Sequence, residues 1–306
     1  MADTPRLLVV TLSNIGDVVL TTPVFEALAT HFPDSPIDIF ADARSAELLA
    51  AAPYAGEIFL YNKRSGWSER FAFLRALRRH RYRLVVDLRS HFLGNLLRAD
   101  QRLYKPRHRN ANLHAAQEHY AALAPLKITT TPPPCRLYLN DDDRAAAAKL
   151  LLSLPGKHWL AIAPGANWPG KKWPRGSYRS LLALAARRFD AAIILGSPED
   201  EKDAQAIADV ALPTLVTSGR TTLRTAAALI ARAAAFVGND SGLGHIAAAM
   251  GVATITPFGP GDPTRYRPWG ARTSIVQAPE NDLILLAPER VWSALEQLLV
   301  DTSGPS

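Results

Sequence analysis

The residues best equipped for chemistry stand at positions 236–251, FVGNDSGLGHIAAAMG. The apolar run entering this stretch reads as a buried strand, Gly238, Asn239 and Asp240 as a tight turn, and Asp240 or Ser241 as the N-cap of a helix. The first N–H groups of that helix, at Ser241, Gly242 and Leu243, have no intrahelical partner, and Gly242 has no side chain to keep an anion away. His245, one turn further on, adds a donor. The chemistry such a turn offers is phosphate binding. In this reading Leu243, Ile246, Ala247 and Met250 form the core stripe, while Gly242, His245 and Ala249 take the opposite side. The simpler alternative is an ordinary strand-to-helix turn with a satisfied histidine.

Three other loops carry reactive side chains. Residues 164–174, PGANWPGKKWP, hold Lys171 and Lys172 among prolines, glycines and tryptophans, where a lysine could neutralise a phosphate or simply be solvated. Residues 13–17, SNIGD, end in the carboxylate of Asp17. Residues 196–201, GSPEDE, offer Glu199, Asp200 and Glu201 to ribose hydroxyls, although acidic residues in a first helical turn are expected in any case. In open parallel sheets ligands lie beyond the carboxyl ends of the strands, which is where all four loops fall.

The elements that must position these loops alternate regularly. Strands are expected at 6–11, 37–41, 57–61 and 84–88, with helices at 18–31, 43–51 and 69–79; Pro23 means either a kink or a helix beginning at Thr22. Residues 91–124 read as two helices separated by the basic stretch 105–109. After TTTPPPC at 129–135, where three prolines exclude a helix, a short strand is expected at 136–140 and a helix at 144–152. Strands at 159–163, 191–195, 214–216, 233–237, 253–257 and 274–276 then alternate with helices at 178–188, 200–210, 223–232 and 288–299. This α/β pattern predicts two doubly wound, Rossmann-like domains, 1–135 and 136–306. No GxGxxG fingerprint follows the first strand, which argues against a nicotinamide dehydrogenase.

Composition narrows the class. Of 306 residues, 48% are hydrophobic and 21% charged, and no apolar run reaches the length of a membrane span. The N-terminus reads as a first strand in place of a signal peptide, and a lone cysteine, Cys135, suits a reducing cytoplasm. The net charge of +7 is unevenly spread: residues 61–110 hold fourteen basic residues against three acidic ones, so the remainder is net negative. Such a patch attracts phosphates, anionic sugars or an anionic membrane surface; it comes with no nucleic-acid-binding motif. The eight histidines are scattered, and no metal cluster is apparent.

SNIGDVVLTTP, PGANWPGKKWP and VGNDSGLGHIAAAMGVATITPFGPGDP, in that order, resemble the successive motifs of the bacterial heptosyltransferases, glycosyltransferase family 9. The resemblance implies a GT-B fold, two Rossmann-like domains facing a central cleft, with the acceptor on the N-terminal domain and the nucleotide sugar mainly on the C-terminal one. The implied donor is ADP-L-glycero-β-D-manno-heptose and the implied acceptor the Kdo or heptose region of the lipopolysaccharide inner core. Asp17 matches the family's general base and Lys171 its donor-phosphate lysine. Asp240, Ser241, Gly242 and His245 match its donor-binding segment, with Asp240 meeting heptose hydroxyls. Ala166 and Asn167 stand where the family often has threonines near the phosphates, and Thr11 where a basic residue is common. Glu199 and Glu201 complete the expected donor side; Asn14, Lys105, Arg107 and Arg109 make up the acceptor side.

An inverting transfer fits these residues. Asp17 takes the proton of the attacking hydroxyl, and Lys171 with the helix N-terminus supports the leaving diphosphate, so neither metal nor cofactor is expected. Rival readings are a transferase or epimerase using another nucleotide sugar, and a paralogue that binds a nucleotide sugar without transfer.

Overall fold

A computed structural model describes residues 5–62, 64, 66–90, 92–107 and 110–301. The chain divides into two units, Met1–Tyr138 and Leu139–Ser306, so the division falls just beyond the proline run.

In the first unit, β1 (Arg6–Val10) leads through a short α1 (Ile15–Val19) into α2 (Thr22–His31), followed by β2 (Ile37–Ala41), α3 (Ala43–Leu49), β3 (Ala55–Leu60), α4 (Trp67–Leu77) and β4 (Tyr82–Asp87). Pro23 stands in the first turn of α2, where its missing N–H costs nothing, and the 18–31 helix begins there instead of kinking. Of the helix pair expected at 91–124 the second is present, while the first is a misreading. Residues 93–96 form one 3-10 turn, β5 (Ala99–Tyr104) is a strand, and α5 (Ala115–Tyr120) runs into a 3-10 turn at 121–126. ADQRLY hides its strand character because β5 is an edge strand, paired with β4 alone and largely open to solvent, so its polar residues show no buried stripe. The sheet order is β3-β2-β1-β4-β5, all parallel. Its core includes Leu8, Val10, Phe40, Phe59, Leu77, Tyr82 and Val85. Cys135 is buried, which pushes its thiol up to about 12 and leaves it inert as a nucleophile.

The second unit opens with α6 (Asp141–Leu151), whose first-turn aspartates follow an Asn140 capping box; the expected strand at 136–140 does not form. Then come β6 (Trp159–Ala163), α7 (Arg175–Ala185), β7 (Ala191–Ile194), α8 (Glu201–Ala208), β8 (Thr214–Val216), α9 (Leu223–Arg232), β9 (Ala235–Gly238), α10 (Gly242–Ala249), β10 (Ala253–Phe258), α11 (Pro263–Tyr266), β11 (Thr273–Gln277) and α12 (Pro288–Asp301). The order is β11-β10-β9-β6-β7-β8, again all parallel. β6, β7 and β9 are nearly continuous apolar runs because helices cover both faces.

Both orders reverse at the unit's first strand. The topological switch point therefore lies between β1 and β4 in the first unit and between β6 and β9 in the second, the crevices where open α/β sheets receive ligands.

Candidate functional site

The second crevice is flanked by the loop after β6 and the turn after β9, two of the stretches singled out above. Asn239 joins them. Fully buried, it accepts hydrogen bonds through Oδ1 from the Trp173 amide at 3.1 Å and the Tyr178 hydroxyl at 3.0 Å, and its Nδ2 donates to the Pro164 carbonyl at 2.6 Å. One side chain thus fixes both ends of the 164–174 loop. Trp173 is buried against Tyr178, with ring centroids 4.9 Å apart, and its Nε1 donates to the Leu286 carbonyl at 3.0 Å. The tryptophan anchors the loop, and the lysines beside it are not merely solvated.

Lys171 Nζ donates to Asp240 Oδ2 at 2.5 Å, across the crevice from one loop to the other. The Asp240 side chain is only 9% exposed and that of Lys171 30%, so the pair is partly withdrawn from water, where a charge interaction is stronger. Gly261 lies against it: a Cβ there would stand 3.0 Å from Asp240 Oδ2. Lys172 turns the other way, to Asp200 Oδ1 at 3.2 Å. Burial would raise the Asp200 carboxyl, but the Ser197 hydroxyl and amide and the Lys172 ammonium outweigh it and hold the group below its ordinary range. Gly165 is required at this contact, since a Cβ there would meet Asp200 Oδ2 at 2.2 Å.

Ser241 is the N-cap of α10 and makes no side-chain capping bond, so its hydroxyl does not occupy the helix's free amides. His245 is buried instead of standing on an open face. Residues 244–249 are buried all round because the segment after α11 covers the outer side: Pro268 Cγ is 3.7 Å from where a Gly244 Cβ would stand, and the Ala248 carbonyl oxygen is 3.0 Å from where a Gly270 Cβ would stand. The single-stripe expectation fails for that reason. Ala166 is half-buried and Asn167 exposed on the same loop. Glu199 is exposed, and Glu201 accepts from Arg220 at 2.7 Å, so the fixed carboxylate of the 199–201 trio is Asp200.

In the first unit Asp17 follows β1 at the other crevice, on α1, half-buried, with Oδ2 accepting from Asn14 Nδ2 at 2.9 Å. Thr11 is fully buried and shares a 2.9 Å hydrogen bond with Thr21 Oγ1; it is a packing residue with no access to a ligand. Sequence reasoning passed over the neighbours of Asp17's crevice. Asp87, buried at the end of β4, accepts from the amides of Arg89 and Ser90 and from Ser90 Oγ at 3.0, 2.8 and 2.6 Å. Arg89 pairs with Asp42 at 3.3 Å and lies over the Tyr61 ring. The signal available was their place at strand ends. Lys105, half-buried, and Arg107, exposed, follow β5 on the same edge; Arg109 lies outside the described residues. A groove of about 830 Å³ between α2 and residues 128–136 contains none of the expected site residues.

Two parallel-sheet α/β units with ligand loops at their switch points are the architecture of the GT-B fold. Comparison with known proteins agrees. An Escherichia coli heptosyltransferase solved with ADP shares the fold at a TM-score of 0.80, with 22% identity over 96% of this chain and 99% of that one. The model of glycosyltransferase family 9 (heptosyltransferase) matches residues 97–287, and the chain belongs to that family. It is 26% identical over 285 residues to lipopolysaccharide heptosyltransferase 3 of E. coli, covering 83% of each, and 27% identical to lipooligosaccharide heptosyltransferase 2 of Haemophilus ducreyi, covering 97% of this chain and 95% of the relative.

Proposed function

We propose that this enzyme transfers heptose from ADP-L-glycero-β-D-manno-heptose to the Kdo or heptose region of the lipopolysaccharide inner core, with inversion. The observation that carries the reading is the Lys171–Asp240 pair spanning the β6/β9 crevice beside the uncapped start of α10. It supports a site where a cation and free amides meet the donor's diphosphate and a carboxylate beside them meets the adjoining sugar. As the anomeric C–O bond to the diphosphate breaks, Lys171 and the amides of Ser241 and Gly242 balance the charge gained by the leaving ADP. Asp240 accepts from heptose hydroxyls, and His245, one turn into α10, belongs to the same donor-binding segment. Asp17 takes the proton of the acceptor hydroxyl as that oxygen bonds to the anomeric carbon, while Asn14 holds the carboxylate in place. Glu199, Glu201, Ala166 and Asn167 border the nucleotide; Lys105, Arg107 and Arg109 attract the acceptor's carboxylates and phosphates. The names of the relatives, lipopolysaccharide and lipooligosaccharide heptosyltransferases, and the ADP in the E. coli structure support a heptose donor carried on ADP and a lipopolysaccharide acceptor.

No helix among the described residues is long and apolar enough to cross a membrane. We place the enzyme in the cytoplasm, in peripheral contact with the anionic inner face of the cytoplasmic membrane that bears the acceptor. The test is mass-spectrometric detection of transfer when the purified protein is offered several nucleotide sugars and truncated lipopolysaccharide. Heptose addition from ADP-heptose is expected. Transfer from a different nucleotide sugar alone, or no transfer from any, overturns the proposal in favour of another GT-B activity or a binding paralogue.

A further inference from the structure

Helix α4 is unlike the other helices of the first unit. Residues 66–72 are exposed on every side, and α4 meets the core through Phe73, Leu74, Ala76 and Leu77 near its C-terminal end. Phe73 packs on Phe40, Phe59 and Tyr61 at ring-centroid distances of 5.2, 6.4 and 5.9 Å, so the core already has its aromatic. Trp67 and Phe71 nevertheless stand in water, 86% and 71% exposed. They belong to one stripe. Positions 67, 71, 74 and 78 fall at i, i+4, i+7 and i+11, and the stripe passes from two exposed rings through Leu74 to Arg78. Arg75 and Arg79 lie beside it, and Arg98, just before β5, completes a recess of about 370 Å³ lined by Phe71, Leu74 and these four arginines.

The arginines are uncommitted. Elsewhere in this basic region Arg81 pairs with Asp100, Arg89 with Asp42, and Arg102 donates to the carbonyls of Gly94 and Leu97. Arg75, Arg78, Arg79 and Arg98 are exposed and have no ion-pair partner among the described residues. The one acidic residue of α4 is Glu69, in its first turn.

We propose that α4 is the element by which this enzyme seats itself on an anionic bilayer: the helix lies along the surface, Trp67 and Phe71 enter the headgroup layer, and the Arg75/Arg78/Arg79/Arg98 recess holds lipid phosphates. Rings and arginines on one exposed helical face are what an interfacial helix requires, about 16 Å of it for eleven residues. An anionic bilayer satisfies the arginines and takes both rings into its headgroup layer, and the acceptor of the proposed function is borne on one. The inference rests on the reading above that the acceptor is membrane-borne. It differs in assigning membrane contact to α4 and leaving Lys105 and Arg107 to the acceptor. Vesicles containing no acceptor test it separately from transfer.

The experiment is co-sedimentation of the full chain with vesicles of phosphatidylcholine with and without 30 mol% phosphatidylglycerol (about that fraction, to give a surface potential of cellular size). Wild type is expected on the anionic vesicles only, with binding that falls as salt rises. Because each basic residue near such a surface is worth about a fivefold factor, Arg75→Gln/Arg78→Gln/Arg79→Gln should lose roughly a hundredfold in partitioning. A charge-matched control, Arg187→Gln/Arg188→Gln/Arg232→Gln on the second unit, should bind as wild type. Brominated lipids should quench wild-type tryptophan emission, and Trp67→Phe should abolish the quenching while circular dichroism stays unchanged. Failure of wild type to bind anionic vesicles overturns the membrane reading itself. Wild-type binding that the triple variant retains, or quenching that survives Trp67→Phe, overturns the role of α4.

Discussion

The carboxyl edges of the two sheets are built on different principles. In the second unit, side chains far apart in sequence are cross-wired: Asn239 ties the 164–174 loop to β9, Lys171 reaches Asp240, and Asp200 gathers Ser197 and Lys172. In the first unit the bonds of Asp17 and Asp87 are short-range, from Asn14 to Asp17 and from Ser90 to Asp87, and the long-range tie between strand ends is the Arg89–Asp42 pair. On the proposed reading, donors held in place before the diphosphate charge develops cost no reorganisation during reaction, and the cross-wiring of the second edge would hold them so. In the proposed function a glycolipid acceptor brings its own charges and shape, which the basic surface of the first unit would attract.

Breaking the wiring should have the largest effect on the scaffold. Asn239→Leu removes three hydrogen bonds and strands buried groups on Trp173 and Pro164; we expect a loss of about 2–5 kcal/mol in urea unfolding. A loss no greater than that of Asn14→Leu on the first edge would erase the distinction. Next in size is the split between the lysines. Lys171→Ala should weaken ADP binding by about ten- to a hundredfold in calorimetric titration, as removal of a charged hydrogen bond does, with Lys172→Ala costing much less. Equal losses would mean that both lysines serve the phosphates.

A smaller effect concerns pH. The folded Asp200 carboxyl lies below its ordinary range, so the stability it contributes is complete above the unfolded carboxylate value of about 3.9 and drains away as pH falls through the folded one. Asp200→Asn should therefore be less stable than wild type near neutrality and lose less of its stability in acid, a convergence that urea titrations at several pH values would reveal. The smallest expected effect is none: with Lys171 and the α10 amides balancing the leaving charge, excess EDTA should leave the transfer rate unchanged. Loss of activity restored by magnesium would show that the second edge is incomplete as described.

Much of this division was legible in the sequence because the site motifs are contiguous. GNDSG writes strand end, turn and helix start in consecutive letters, and β2, β6, β8 and α9 fall on the expected residues. What escaped has physical causes. Edge strand β5 lacks a buried face, and α10 is covered on its outer side by a segment some twenty residues downstream (two dozen at most, beyond the loop lengths that local pattern reading spans). Asn239 looked like a turn residue; its three partners lie 61 to 75 positions away, a separation no local pattern reports. The pairing of Lys171 with Asp240 was hidden in the same way, although both residues were singled out individually.

If the first edge supplies the base and the second holds the donor, Asp17→Asn separates the two, because the substitution preserves shape and removes the proton acceptor. Transfer rate and ADP affinity should be measured on the same preparation. The account predicts a loss of about 10²- to 10⁴-fold in rate with ADP affinity unchanged. A rate within threefold of wild type (about 0.65 kcal/mol of barrier), or a loss of rate matched by an equal loss of ADP affinity, would contradict it.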